Sequence, residues 1–116
     1  MSFFTSLTGL RAANTELAIT SNNIANSGTT GFKKSEASFG DIFARSPLQT
    51  QTVGQGVALK SISQEFSQGS IEFSSNTLDL AISGDGFFPL VSQDGQTELF
   101  SRSGAFLLDE AGNVVN

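Results

Sequence analysis

The residues that could do chemistry are carboxylates, glycine pairs and hydroxyls. Asp79, Asp85, Asp94 and Asp109 offer oxygen ligands, which suit calcium. Their spacing does not match the alternating loop ligands of an EF-hand, so they are expected to serve in turns. Gly54-Gln55-Gly56 and Gly84-Asp85-Gly86 could bring backbone amides close to a phosphate. Neither continues into a phosphate-binding pattern, and neither is followed by a lysine and hydroxyl pair opening a helix. Turns are again the expectation. Serine and threonine are plentiful, but the chain has no histidine to activate one as a nucleophile. It has no cysteine either, which excludes a thiolate metal site, a catalytic thiol and a disulfide framework. Acid–base chemistry would fall to carboxylates or lysine alone, and no carboxylate pair is locally placed for it. No catalytic residue, metal site or cofactor is expected.

At 116 residues the chain fits one domain of modest size, able to bury roughly two-thirds of its unfolded surface. A net charge of −5 argues against a nucleic-acid partner, which would call for a basic patch. The basic residues are dispersed, with Lys33-Lys34 as the only pair. No stretch approaches the roughly 20 apolar residues of a membrane-spanning helix. The N-terminus lacks the basic start and continuous apolar core of a secretory signal. Neither nucleic acid nor membrane insertion is therefore expected.

Any function must rest on how the elements are arranged. From Ser2 to about Asn26, apolar side chains fall at Phe3, Leu7, Leu10, Leu17 and Ile24. Their spacing places them on one stripe of an α-helix at coiled-coil period. Asn14 and Ser21 occupy the two missing stripe positions. A helix of that extent would be about 36 Å long. The rest of the chain offers little apolar surface of helical period to pack against it. Its partner is expected on other chains, or on a segment outside these residues.

Asn22-Asn23-Ile24-Ala25-Asn26-Ser27-Gly28-Thr29-Thr30-Gly31-Phe32-Lys33 then ends the helix. Asparagine bonds nearby main chain, and Gly28 or Gly31 could supply the C-cap. Between Lys33 and Thr52 the chain is polar, with Phe32, Phe39, Ile42 and Phe43 as anchors and Pro47 as a helix breaker. The i, i+3, i+4 spacing of Phe39, Ile42 and Phe43 allows a short helical turn. Strand alternation follows at Val57–Lys60, Ile71–Phe73 and Leu78–Ser83, the last expected as a β core face. Asp94-Gly95 should turn a hairpin between Phe88–Val91 and Leu99–Phe100. Asp109–Asn113 should separate Phe106–Leu108 from Val114-Val115. The expected fold class is α+β: a long N-terminal amphipathic helix with its cap (1–31), an extended connector (32–56), and a small antiparallel β unit (57–116).

NNIANSGTTGFK, at this distance from MSFFTSLTGLRAANTELAIT, resembles the rod and hook proteins of the bacterial flagellum. The resemblance continues in FGDIF, in VGQGVALKSISQEFSQGSIEFSSNTLDLAISGDGFF and in SRSGAFLLDEAGNVVN, and so covers nearly the whole chain. It implies a structural subunit of the hook that self-assembles into a tubular helical polymer and transmits torque for motility. The implied site is an assembly interface at Phe3, Leu7, Leu10, Leu17, Ile24, Asn22, Asn23, Asn26, Gly31, Phe32 and Phe39. Implied partners are further copies of itself, neighbouring axial, cap and junction proteins, and the flagellar export apparatus. The implied location is the basal body and hook, outside the cell after type III export. In that family the helix pairs with a C-terminal helix of the same subunit and the pattern runs well past Asn116. A fragment of a longer subunit is therefore expected. The distal rod protein is the alternative, favoured by a connector longer than Ala44–Thr52. A monomeric ligand-binding β domain would instead show a saturable small-molecule ligand.

Overall fold

The computed structural model describes residues 2–43 and 54–116. They divide into two compact units, one formed by Met1–Asn26 with Lys34–Glu65, the other by Ser27–Lys33 with Phe66–Asn116.

In the first unit, α1 spans Ser2–Ala25. Its interior carries no proline, and alanines and leucines favour it. β1 (Ser35–Phe43) and β2 (Gly54–Gln64) pair antiparallel, from Ser35 opposite Gln64 to Phe43 opposite Gly54. The register shifts between Ser38 and Phe39, and again between Asp41 and Phe43. The short helical turn that the spacing of Phe39, Ile42 and Phe43 allows is therefore not formed; the segment is a strand. The deciding pattern is Ser35, Ala37 and Phe39 half-buried in alternation with exposed Glu36 and Ser38, and the partner that selects it lies in β2, far along the chain. Pro47 and the Ala44–Thr52 connection fall outside the described residues.

The second unit holds two short antiparallel pairs. β3 (Phe88–Val91) runs beside β4 (Glu98–Ser101), and β5 (Leu107–Leu108) beside β6 (Val114–Val115). Both expected turns form. Gly95 adopts φ +68°, a conformation costly for a residue with a Cβ, and its amide donates to the Ser92 carbonyl at 2.7 Å. At the second turn the Asn113 amide donates to Asp109 Oδ1 at 2.9 Å. Donors of this second turn, the Asn113 backbone amide first among them, hold the Asp109 carboxyl below the usual carboxylate range.

Two expected strands do not form. Ile71–Phe73 is irregular, with Phe73 fully exposed. Leu78–Ser83 supplies an isolated bridge, Asp79 to Ala105, and Leu80, expected in a core face, is 57% exposed. Its start is taken up by an asparagine turn: Asn76 Oδ1 accepts from the Leu78 amide at 3.3 Å, and Asn76 Nδ2 donates to Asp79 Oδ1 at 3.0 Å. Gly84 and Gly86 end it with positive φ. The apolar centre of this unit is Phe106, 7% exposed, with its ring edge-to-face against Phe88 at 5.2 Å. The Leu80 amide donates to the Gly104 carbonyl at 3.0 Å. A Cβ on Gly104 would collide with the Leu80 carbonyl, so that approach needs glycine.

The α+β arrangement expected from the sequence, a long helix followed by extended chain and small antiparallel pairs, is the one observed.

Candidate assembly surface

α1 has two unlike faces. Thr5, Thr8, Ala12, Thr15, Ile19 and Asn23 are its half-buried side chains on one face, recurring every three or four residues. This face meets the β1–β2 hairpin through polar pins. The Val57 amide donates to Thr8 Oγ1 at 3.2 Å, and that hydroxyl donates to the Thr5 carbonyl at 2.7 Å. Near the other end Asn23 pairs with the Ser35 backbone in both directions: Nδ2 donates to the carbonyl at 2.8 Å and Oδ1 accepts from the amide at 3.0 Å. A groove of about 200 Å³ lined by Thr8, Arg11, Ala12, Thr15, Val57 and Leu59 runs along the contact. The helix thus has a partner within the chain, contrary to the expectation. The sequence reading missed it because the signal is a repeat of small and polar residues, where an apolar stripe was sought.

The apolar stripe lies on the opposite side, since at ~100° per residue the two sets centre about half a turn apart. Phe3 is 81% exposed, Leu10 62%, Leu17 64% and Ile24 66%; Leu7 is half-buried. Apolar side chains in heptad spacing with no cover form a surface suited to association. Among the described residues no three His, Cys, Asp or Glu side chains converge on a possible metal site, and no helix is long and apolar enough to cross a membrane.

The remaining predicted site residues are split between the units. Asn22 and Asn26 close the helix: Asn26 Nδ2 and the Asn26 amide both donate to the Asn22 carbonyl, at 2.9 and 3.1 Å. With α1 ending at Ala25, that asparagine contact does the work expected of Gly28 or Gly31. Gly31 instead sits in the second unit at φ +75°, where a Cβ would lie 2.5 Å from the Arg102 carbonyl carbon. Phe32 is half-buried in that unit, and its amide donates to the Thr29 carbonyl at 3.3 Å. Phe39, half-buried in β1, lies opposite Leu59.

Arg102 received no role from the sequence, yet it organises the second unit. Its guanidinium donates to the carbonyls of Ile82 (3.0 Å), Gly84 (2.5 Å) and Gly86, and to Gln68 Oε1 (2.8 Å). The same Gln68 oxygen accepts from the Gly84 amide at 3.2 Å. Gly84-Asp85-Gly86 is therefore a turn clamped by arginine. The only hint in sequence was a lone arginine downstream of a glycine-rich turn.

Residues 4–33 match the family described as Flagella basal body rod protein, and residues 81–116 match the Flagellar hook protein FlgE/F/G D1 domain. The chain is similar to the flagellar hook protein FlgE of Salmonella typhimurium, 47% identical over 116 residues, covering 100% of this chain and 27% of that protein. It is similar to FlgE of Helicobacter pylori strain 26695, with 40% identity over 98% of the chain and 18% of the relative. The flagellar basal-body rod protein FlgG of Agrobacterium fabrum is 34% identical over 93% of the chain and 46% of its own length. The chain thus spans less than half of each of these relatives.

Proposed function

The chain belongs to the bacterial flagellar rod and hook protein family, and we propose that it forms the N-terminal part of a hook subunit. The subunit self-assembles into a tubular helical polymer of the flagellum, exported and built outside the cell, and transmits motor torque without catalysing a reaction. The observation that carries this reading is the uncovered heptad stripe Phe3, Leu10, Leu17 and Ile24, opposite the face seated on the hairpin. Burying such side chains contributes about 1.5–3 kcal/mol each, a driving force for covering the stripe at a subunit contact. Identity of 47% to a hook protein against 34% to a rod protein favours hook over rod.

Asn22, Asn23, Asn26, Gly31, Phe32 and Phe39 lie in or beside subunit contacts in this reading, where they set how the subunit joins its neighbours. Asn26→Ala and Phe32→Ala polymers that form and bend as the parent does would remove that role. The stripe is tested in the full-length subunit carrying this sequence, with Leu10→Asp and Leu17→Asp compared with Thr20→Asp, an exposed position off the stripe. The stripe variants should leave soluble, folded subunits that neither polymerise nor restore swimming, while Thr20→Asp does both. Normal polymers from the stripe variants would defeat the reading.

A further inference from the structure

An aspartate followed by glycine can react with its own main chain. The glycine nitrogen attacks the aspartate carboxyl carbon, and a residue without a Cβ puts nothing in the way. The chain has two such pairs, Asp85-Gly86 and Asp94-Gly95, both in the second unit and both exposed. A Cβ built on either glycine meets no atom within 4 Å, so packing does not distinguish them. Hydrogen bonding does. The Gly95 amide donates to the Ser92 carbonyl at 2.7 Å, in a turn closed by the Ser92 amide on the Thr97 carbonyl at 2.8 Å. Among the described residues, neither the Gly86 amide nor the Asp85 carboxyl has a hydrogen-bond partner. Arg102 grips the carbonyls of Gly84 and Gly86, which belong to the peptide units before and after. The Asp85–Gly86 unit between them is held by nothing. Both residues line a groove of about 190 Å³ with Lys33, Phe66, Phe87 and Arg102, which leaves room for a ring to close.

We propose that Asp85-Gly86 is a self-modification site, where the main chain isomerises to isoaspartate in the folded protein. With the carboxyl protonated, the Gly86 nitrogen bonds to Cγ of Asp85. The Cγ–OH bond breaks, and the hydroxyl leaves as water with the amide proton. The resulting five-membered imide then takes up one water. Attack at Cγ breaks the new bond and restores aspartate. Attack at the backbone carbonyl carbon breaks the original peptide bond instead, and the chain then runs through Cβ and Cγ. Nothing is oxidised or reduced, and no reactant other than water is consumed. The product keeps its charge but carries one more methylene in the main chain, between the two carbonyls that Arg102 grips. The guanidinium can then no longer meet both. Ring closure at Asp94 must first break the Gly95 hydrogen bond, which makes it about fivefold slower.

The full-length subunit carrying this sequence is aged as folded monomer and, in parallel, unfolded in urea. Isoaspartate at each pair is then quantified by proteolytic digestion and mass spectrometry with electron-transfer fragmentation. In the folded protein, isoaspartate should accumulate at position 85 about fivefold faster than at 94. In urea, where the turn hydrogen bond is gone, the two rates should converge. Asp85→Glu keeps the charge but needs a six-membered ring, so it should stop the reaction at 85 and leave that at 94 unchanged. Amides 80–88 should exchange faster in the isomerised fraction than in fresh protein. Equal rates at the two pairs in the folded protein, or a faster rate at Asp94, would overturn the proposal. So would a ratio that urea leaves unchanged, since the preference would then belong to neighbouring sequence and not to the fold. Unaltered exchange at amides 80–88 in the isomerised fraction would overturn the loss of the clamp.

Discussion

At the scale of single residues, the second unit depends on donors that have no substitute nearby. Shortening Arg102 removes its bonds to Ile82, Gly84, Gly86 and Gln68 together, and lysine cannot reproduce a planar fork that reaches several acceptors. Arg102→Lys should therefore cost about 2 kcal/mol, read as faster hydrogen exchange at amides 80–88 and a lower urea midpoint. An unchanged midpoint would mean that water replaces the clamp. Asp109 makes a pH-dependent contribution. Its carboxyl is held below the usual range by the Asn113 amide, so its contribution is fully present above the ordinary carboxylate pKa. It is lost as pH falls through the lowered one. Chemical shifts of Asn113 and Gly112 should follow that acid transition, and Asp109→Ala should abolish it. Gly31 belongs here too: with φ +75° and the Arg102 backbone against it, Gly31→Ala should cost about 1–3 kcal/mol, measured by thermal unfolding.

At the scale of elements, the chain's local features were legible and its non-local ones were not. Helix α1 showed itself through heptad spacing, and the turns at Asp94-Gly95 and Asp109–Asn113 through residues whose chemistry acts over a few positions. β1 could not be told from a helical turn, because Phe39, Ile42 and Phe43 fit either and the choice is made by β2. Leu78–Ser83 alternates like a strand but finds a single bridge at Asp79. The helix–hairpin contact escaped because Thr8 and Asn23 are not apolar. That polarity has a consequence. The pins are individually modest, about 1 kcal/mol each, so Asn23→Ala should loosen the C-terminal half of α1 from β1. Exchange at amides 19–25 should quicken in the monomer while those of the β3–β4 pair keep their rate. Equal rates in parent and variant would show that the Asn23 pin holds nothing.

At the scale of the whole molecule, the exposed stripe of α1 and the sparse apolar centre around Phe106 describe a chain whose strongest driving force is not spent internally. The stripe residues were read correctly from spacing alone; that they face away from the hairpin was not, because direction depends on which side the small residues occupy. If a neighbour covers the stripe, losing one leucine side chain, as in Leu17→Ala, should weaken assembly by about 2 kcal/mol, roughly thirtyfold in critical concentration. The most direct measurement places a cysteine at the stripe, Leu17→Cys, in a cysteine-free full-length subunit. Its rate of maleimide labelling is then followed before and after polymerisation. Rapid labelling of the monomer and strong protection in the polymer are predicted. Labelling at the same rate in both states would contradict the central claim that this face is the assembly surface.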